Sequence, residues 1–171
     1  MYHCFVNRED VFIHESSFVD ESAYIGNRTK VWINSQIREG VSIGEECVIG
    51  KDVYIDKGVL IGDRCKIQNG VSIYNGVEIG DDVFIGPGVV FTNDLYPRAF
   101  NHDWELTRTE VMKGSSIGAN STVICGNRIG EYSMVGAGSL VSVDVPDFSL
   151  VVGNPSKVVG KVDLDGKPYV D

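Results

Sequence analysis

Hydrophobic residues recur at every sixth position over the first half of this chain. From position 13 to position 91, each sixth residue is Ile, Val or Phe: Ile13, Val19, Ile25, Val31, Ile37, Ile43, Ile49, Ile55, Ile61, Ile67, Ile73, Ile79, Ile85 and Phe91. A strand alternates with a period of two and a helix with a period near 3.6, so this spacing fits neither element alone. The pattern predicts a structural repeat.

A second apolar position lies two residues before the first and is filled from the sixth repeat onward by Val or Cys: Val41, Cys47, Val53, Val59, Cys65, Val71, Val77, Val83 and Val89. Two inward-facing residues one pleat apart, followed by a turn, form a short strand that ends at a corner, which is how a parallel β-helix is built. The same rhythm returns later in the chain at Val111, Ile117, Val123, Ile129, Val135 and Val141.

Residues eighteen positions apart share a chemical character. One such series is Gly26, Gly44, Gly62 and Gly80, and in another the charge alternates through Arg28, Glu46, Arg64 and Asp82. Stacked strands favour opposite charges at facing positions. The spacing predicts triangular coils of eighteen residues, with three hexads to a coil, and therefore an all-β parallel β-helix.

Length and composition bound the remaining possibilities. The 171 residues are 43% hydrophobic, which suffices for one substantial core. The formal net charge of −9 argues against nucleic-acid binding, because that requires a basic face. The start of the chain, residues 1–10, contains His3, Arg8, Glu9 and Asp10 and lacks the apolar stretch of a signal peptide, and no apolar run in the sequence approaches eighteen residues. We therefore expect a cytoplasmic protein that is not inserted in a membrane.

The four cysteines fit a reducing compartment. Cys47 and Cys65 occupy the same small-residue position one coil apart, so a disulfide between them is within reach, although reduced buried thiols are the commoner outcome. Cys4 and Cys125 have no partner spacing, and no pair forms a CxxC metal motif.

The pattern divides a single domain into five segments. These are a lead-in (1–10), N-terminal coils (11–91), a loop (92–110), C-terminal coils (111–145) and a C-terminal tail (146–171). In the tail, Asp165 and Gly166 between two Val residues predict the turn of a small hairpin. A short helix near 156–159 is a further expectation.

The loop is the first candidate for function. It interrupts the hexads with polar and aromatic residues and carries His102 and Trp104 near its middle. Long excursions from a rigid scaffold commonly hold binding and catalytic residues. The alternative is an insertion that the fold tolerates and that has no role.

Several motifs carry a family resemblance that covers nearly the whole chain. They are the hexads with their Ile-Gly steps, FTNDLYPR at 91–98, KGSSIGANSTVICG at 113–126, VGAGSLV at 135–141 and GNPSK at 153–157. With them the chain resembles the left-handed β-helix (hexapeptide-repeat) acyltransferases. The hexads and GNPSK are common to that superfamily. The loop motif and the run that follows it look most like the branch that N-acetylates nucleotide-linked 3-amino sugars and 3-amino-uronates.

The resemblance implies a left-handed coil, a homotrimer with active sites between subunits, acetyl-CoA as donor and a UDP- or dTDP-linked amino sugar as acceptor, without a metal. Sugar O-acetyltransferases of the superfamily carry a His in the corresponding loop, because a hydroxyl needs a base to remove its proton. Here Asn93 is followed by Asp94 and no His. An amine attacks through its own lone pair, so we expect Asn93 to orient it and Asp94 to assist electrostatically or as a weak base. His102 is the reserve base.

Eighteen-residue spacing places Asn75 below Asn93 and Tyr74 below Thr92, which predicts a polar shelf for the substrate. Tyr74 as a simple outward aromatic is the alternative. Arg98 is a candidate for the substrate diphosphate, because a guanidinium suits phosphate oxygens. The alternative is an ion pair within the loop, with Asp94 or Asp103.

The cofactor-binding candidates are backbone amides and one cation. The amides belong to small residues on two successive coils, where a thin pantetheine chain can approach the backbone: Gly118, Ala119, Gly136, Ala137 and Gly138. Lys157 is the cation expected near a CoA phosphate, with a solvated Lys as the alternative.

Two other functions stay open at this point. One is O-acetylation of a sugar or of serine within the same superfamily. The other is a metalloprotein like the γ-class carbonic anhydrases, which hold zinc with three His residues. This chain has only His3, His14 and His102, two of them near the N-terminus, which disfavours that site.

Overall fold

Short parallel strands build the whole fold in the computed structural model, which describes residues 10–169. The strands in chain order are β1 (Phe12–Ile13), β2 (Phe18–Val19), β3 (Tyr24–Ile25), β4 (Lys30–Val31), β5 (Gln36–Ile37), β6 (Ser42–Ile43), β7 (Val48–Ile49), β8 (Tyr54–Ile55), β9 (Leu60–Ile61), β10 (Lys66–Ile67), β11 (Ser72–Ile73), β12 (Val77–Ile79), β13 (Phe84–Ile85), β14 (Val90–Phe91), β15 (Thr109–Val111), β16 (Ser116–Ile117), β17 (Thr122–Val123), β18 (Arg128–Ile129), β19 (Met134–Val135), β20 (Leu140–Val141), β21 (Ser149–Val152), β22 (Lys157–Val162) and β23 (Pro168–Tyr169).

Three sheets form the sides of a triangular prism. Sheet A has the order β1-β4-β7-β10-β13-β16-β19-β21-β22-β23, sheet B the order β2-β5-β8-β11-β14-β17-β20 and sheet C the order β3-β6-β9-β12-β15-β18. From β1 to β20, consecutive strands along the chain belong to different sheets, so each coil passes through sheets A, B and C in turn. The all-β prediction of a left-handed parallel β-helix with triangular eighteen-residue coils is confirmed.

Strand register follows the predicted spacing. Lys66 pairs with Phe84 eighteen residues later, whereas Val90 pairs with Thr122 thirty-two residues later. The chain between β14 and β15 therefore adds fourteen residues to one coil without shifting the stack. This loop, residues 92–108, is shorter by two residues than the predicted segment, because β15 already includes Thr109.

The core consists of the hexad residues. Ile37, Ile55 and Ile73 have no exposed surface, and one continuous apolar cluster runs along the prism axis. Where an inward corner residue is polar, its hydroxyl bonds the backbone: Thr29 Oγ1 donates to the carbonyl of Gly44 at 2.8 Å. Apolar burial at about 25 cal/mol per Å² is the main stabilising contribution in such a core.

The turns between sheets define three corners, which we call the A/B, B/C and C/A corners after the sheets they join. The glycine series lies at the C/A corner, where a Cβ on Gly44 would lie 2.7 Å from the carbonyl carbon of Gly62 in the next coil. Close stacking of coils, and not a positive φ, requires glycine there. The positive φ falls two residues later, at Arg28 (60°) and Glu46 (58°).

The predicted charge alternation also lies at the C/A corner. Arg28 Nη2 approaches Glu46 Oε1 at 2.5 Å, and Arg64 Nε approaches Asp82 Oδ1 at 2.7 Å. The hydrogen bond from Arg64 holds the pKa of Asp82 below its ordinary value. Opposite charges thus face each other up this edge, as the sequence pattern indicates.

The C-terminal region differs from the expectation in one respect. β21 extends sheet A in parallel beside β19, so the prism continues past residue 145. β22 then pairs antiparallel with β21, and the short helix expected near 156–159 is wrong, because strand pairing to β21 takes up that backbone. The predicted hairpin is confirmed: β22 pairs with β23, and Gly166 has a φ of 77° at its turn.

Of the two alternatives for Cys47 and Cys65, a disulfide or free thiols, the structure shows free thiols. Cys47, Cys65 and Cys125 are free and buried, and the amide of Cys65 donates to the Sγ of Cys47 at 3.3 Å. The hydrogen bond between the two thiols and their burial raise the pKa of Cys65, so it remains protonated. Cys4 and most of the lead-in lie outside the described residues.

Candidate active site at two corners of the prism

The predicted site residues occupy two different corners. Asn93 and Asp94 follow β14 at the B/C corner, while Gly118 and Gly136 follow strands of sheet A at the A/B corner. A strand of sheet B lies between the two corners, so one copy of the chain holds its candidate catalytic and cofactor-binding residues at different corners of the prism.

Asn93 lies at the base of the loop and is half-buried. Its carbonyl accepts a hydrogen bond from the amide of Thr107 at 3.2 Å, which joins the two ends of the loop. Beside it, Thr92 Oγ1 accepts from the amide of Cys125 at 2.9 Å. Across residues 10–169, the side-chain amide of Asn93 has no hydrogen-bond partner, so it is available to a ligand.

Asp94 is turned toward the loop that follows it. Its Oδ1 accepts a hydrogen bond from the amide of Tyr96 at 2.9 Å, and the side chain is half-buried. The carboxylate thus stabilises the first turn of the loop and still has its second oxygen free to act on a bound amine.

The loop beyond Asp94 is strongly exposed and rich in apolar side chains. Tyr96 and Phe100 are each 77% exposed, and Trp104 is also exposed. Arg98 donates from Nη1 to the carbonyl of Pro97 at 2.7 Å. Among the described residues it forms no ion pair with Asp94 or Asp103, the alternative that the sequence left open. His102 is exposed.

A tyrosine pair lies on the same corner below the loop. The rings of Tyr54 and Tyr74 are 5.6 Å apart at an interplanar angle of 57°, a tilted contact typical of aromatic pairs. Tyr54 Oη donates to Asp56 Oδ1 at 3.0 Å, and Arg38 Nη1 donates to Tyr54 Oη at 3.4 Å. Burial, followed by the bond to Asp56, raises the pKa of Tyr54, so it stays neutral.

Asn75 is fixed beside this pair. Its amide donates to Asp56 Oδ2 at 3.2 Å, and its side chain is half-buried. With Tyr74, which is 38% exposed, it forms the shelf that the eighteen-residue spacing predicts below Asn93.

At the A/B corner the glycines stack as predicted, but their amides are committed within the prism. The amide of Gly118 donates to the carbonyl of Val135 at 2.8 Å, and that of Gly136 donates to Val151 at 2.8 Å. The amide of Gly138 likewise donates to Ala119 at 2.8 Å. These three glycines therefore cannot supply the free donors expected of them.

The amides of Ala119 and Ala137 remain. In the described part of the chain neither donates a backbone hydrogen bond, and the two lie one above the other on successive coils. Gly118 contributes in another way, because a Cβ there would lie 2.8 Å from the carbonyl carbon of Gly136 and would push the coils apart.

Lys157 lies above this column. It begins β22 directly opposite Val152, which continues the Gly118–Gly136 column into the next coil, and it is exposed. The structure thus places an exposed cation at the upper end of the A/B corner.

Lys57 and Tyr54 were not among the sequence candidates. Both belong to the B/C corner, and Lys57 lies eighteen residues before Asn75 and thirty-six before Asn93. Following the same column one coil further down would have identified Lys57.

The described region holds neither a candidate metal cluster nor a membrane-spanning helix. No group of three or more His, Cys, Asp or Glu side chains within residues 10–169 is arranged to hold a metal ion. No helix in that range is long and apolar enough to cross a bilayer.

Family comparisons agree with the geometry. Residues 22–57 and 58–93 match the family described as bacterial transferase hexapeptide (six repeats), and residues 40–75 and 113–146 match the hexapeptide repeat of succinyl-transferase. The matches stop at the loop, where the repeat is interrupted.

Individual relatives are acetyltransferases. The chain is 54% identical over 154 residues to dTDP-3-amino-3,6-dideoxy-alpha-D-galactopyranose 3-N-acetyltransferase of Aneurinibacillus thermoaerophilus, covering 90% of this chain and 80% of that protein. It is 50% identical over 50 residues to serine acetyltransferase 4 of Arabidopsis thaliana, covering 29% of this chain and 14% of that protein.

A solved structure shares the fold. A mutant of perosamine N-acetyltransferase from Caulobacter crescentus, in complex with CoA and GDP-perosamine, superimposes with a TM-score of 0.59 at 25% identity. The match covers 89% of this chain and 57% of that chain. With the repeats matched and a relative 54% identical over most of its length, the chain belongs to the hexapeptide-repeat acetyltransferases.

Proposed function

We propose that this enzyme transfers the acetyl group of acetyl-CoA to the amine of a dTDP-linked 3-amino sugar used for surface glycan synthesis. The observation that carries the proposal is the 54% identity to the Aneurinibacillus 3-N-acetyltransferase, which extends over 90% of this chain and therefore includes the loop corner. The structural neighbour in complex with CoA and GDP-perosamine supports the same class of donor and acceptor.

The chemistry is aminolysis of a thioester. The neutral amine attacks the acetyl carbonyl, the C–S bond breaks, CoA leaves as its thiol or thiolate, and the ammonium proton is lost from the new amide. Positioning the amine beside the carbonyl supplies much of the rate enhancement. The free side-chain amide of Asn93 holds the amine, and Asp94 receives or stabilises the proton that leaves.

The sugar rests on the shelf below the loop. Tyr74 offers an aromatic face and Asn75 a side-chain amide, both one coil below the Asn93 level. Arg98 uses one guanidinium nitrogen on Pro97 and keeps its remaining donors for a phosphate oxygen.

Acetyl-CoA lies along the A/B corner. The amides of Ala119 and Ala137 face the pantetheine chain, and the absence of side chains at Gly118, Gly136 and Gly138 keeps that surface flat. Lys157 lies toward the nucleotide end of CoA, where a phosphate needs a cation.

A homotrimer completes the site. The two halves lie on different corners of one prism, and a neighbouring copy that presents its A/B corner to the B/C corner of the first would join them. The exposed Tyr96, Phe100 and Trp104 of the loop are the apolar surface that such a contact would cover. A reducing cytoplasm, in which Cys47 and Cys65 stay thiols, is the expected compartment.

O-acetylation is the second candidate, favoured by the 50-residue match to serine acetyltransferase 4. The test offers purified enzyme acetyl-CoA with either dTDP-3-amino-3,6-dideoxygalactose or its 3-hydroxy analogue and measures CoA release. We expect kcat/KM for the amine to exceed that for the alcohol by at least about 1,000-fold. Equal rates, or a preference for the alcohol, would establish the O-acetyl alternative.

A further inference from the structure

A column of residues descends from the candidate catalytic Asn93 along the B/C corner. Asn93, Asn75 and Lys57 occupy equivalent positions in three successive coils, as the pairing of β14 with β11 and of β11 with β8 requires. Strands in a sheet are about 4.8 Å apart, so Lys57 lies roughly 10 Å below Asn93. That separation is of the order of one sugar ring with its attached diphosphate.

Lys57 is a free cation in an acidic protein. It is exposed, and within the described residues its ammonium group forms no ion pair. Lys57 contacts Asp56 through its backbone amide, which donates to Oδ1 at 2.9 Å. Because the net charge of −9 disfavours anions over the surface as a whole, a bound anion depends on a local cation such as this ammonium group.

Two carboxylates close to Lys57 in the chain and in its column are bound to other groups. Asp56 accepts hydrogen bonds from Tyr54 Oη and from the backbone amide of Asn75, and its Oδ1 lies 3.9 Å from Arg38 Nη1. Glu39, one coil below Lys57 in the same column, is paired to Arg38, whose Nε lies 2.8 Å from Glu39 Oε2. Neither carboxylate therefore competes fully for the ammonium group of Lys57.

An aromatic surface flanks the same level of the prism. Tyr54 lies in the same coil as Lys57, and its hydroxyl is held by Asp56 and Arg38, so the ring is fixed in orientation. Tyr74 packs against it from the coil above. A rigid, partly exposed aromatic pair is a stacking surface for a nucleobase.

We propose that the B/C corner binds the nucleoside diphosphate, with Lys57 at the diphosphate and the ring of Tyr54 at the pyrimidine base. The inference rests on the proposed function for the sugar end at Asn93. Lys57 lies one coil below the sugar shelf of Tyr74 and Asn75 and in the same coil as Tyr54, so it offers the diphosphate a cation next to the base.

Calorimetric titration with dTDP alone, without acetyl-CoA or any amino sugar, tests this site. We expect Lys57→Met to weaken dTDP binding about five- to tenfold and to flatten its dependence on salt. Tyr54→Ala should weaken it about tenfold through lost stacking. Lys66→Met removes the same charge from the outer face of sheet A and should leave dTDP affinity within twofold of the wild type.

The outcomes separate this inference from the acetyl transfer. Wild-type protein that does not bind dTDP, or Lys57→Met and Tyr54→Ala proteins that bind it as the wild type does, would overturn the inference even if an amino sugar is acetylated. If Arg98→Met alone abolished binding, the loop and not the column would hold the diphosphate. If the variants bind dTDP more weakly than the wild type does, but the wild type transfers acetyl to no amine, the inference about the column holds and the proposed function is wrong.

Discussion

The C/A and B/C corners of the prism have the same backbone geometry and very different chemistry. At the C/A corner, glycines let the coils touch, and Arg64 and Asp82 are paired across successive coils. At the B/C corner, the equivalent columns hold Lys57 and Asn93, whose side chains have no partner within residues 10–169. The B/C corner also contains internal pairs, such as Arg38 with Glu39, but among the described residues it leaves Lys57 and Asn93 without one.

The difference shows how to separate structural from functional polar residues in a repeat protein. Where the polar side chains of a column are hydrogen-bonded or ion-paired to one another, their contribution to stacking of the coils accounts for them. A column that leaves donors unpaired at the base of a long loop has no structural reason for them, because an unpaired donor contributes nothing to stability. Each prediction below changes one corner and uses the other as its control.

The largest effect is expected from Gly44→Ala at the C/A corner. The new Cβ would lie 2.7 Å from the carbonyl carbon of Gly62, so the coils must separate or the backbone must shift. Chemical denaturation should show a loss of about 3 kcal/mol in the free energy of unfolding. Gly40→Asn at the B/C corner, with open space around Cβ and a φ of 66°, should cost no more than about 1 kcal/mol.

A loss from Gly40→Asn as large as that from Gly44→Ala would show that the corners are equally constrained, against the structural difference described above. The φ of 58° at Asn34 indicates that asparagine is accepted in this conformation elsewhere in the prism.

Asn93→Ala tests the open corner through the reaction. If the amide orients the nucleophile, steady-state kinetics should show kcat reduced about 100-fold or more, with little change in the KM for acetyl-CoA and in the unfolding transition. Asn101→Ala makes the same change further along the loop, where the side chain only accepts from the amide of Asp103, and should retain most activity.

His102→Ala should also remain active, since the amine needs no strong base. A loss of about three orders of magnitude in kcat would instead assign His102 as a general base and favour the O-acetyl type of chemistry.

An unchanged kcat in Asn93→Ala would remove that residue from the mechanism.

The smallest effect is expected from two Thr→Val substitutions, one at the end of each corner. They should change the free energy of unfolding in opposite directions. Thr109, where the B/C corner ends, is buried and its Oγ1 has no hydrogen-bond partner among the described residues. Thr109→Val should therefore stabilise the protein by about 1 kcal/mol. Thr29→Val at the C/A corner breaks bonds to Gly44 and Cys47 and should destabilise it by a similar amount. If both substitutions shift the melting temperature in the same direction, the contrast between the two corners is contradicted.

The sequence predicts most of the scaffold because the pattern that buries Ile also sets the register. A period of six places each Ile at a strand, and a period of eighteen places Asn75 below Asn93. The tail follows no such period, so the pairing of β22 with β21 depends on contacts that no local pattern reveals, and a helix was expected instead. The handedness of the coil followed only from the family resemblance.

The candidate site was less accessible from the sequence. The loop motif of the family resemblance indicated Asn93, and the eighteen-residue spacing predicted the stacked glycines. Neither revealed that the amides of Gly118, Gly136 and Gly138 are used by the coils. Hydrogen-bond saturation is a property of the folded stack and is invisible in one repeat. The column that contains Asn75 and Asn93 also contains Lys57. Lys57 is recognisable as a candidate only from the structure, which shows that neighbouring charged side chains are bound to other groups.

The loop leaves and rejoins the prism with no change in the stacking of the coils on either side. Val90 still pairs with Thr122, and the amide of Thr107 closes the gap to Asn93. Because the entropic cost of closing a loop grows only slowly with its length, residues can be added or removed there at little expense to folding. Descendants of this enzyme can therefore change which sugar they accept by altering one segment, while the rest of the molecule remains as it is.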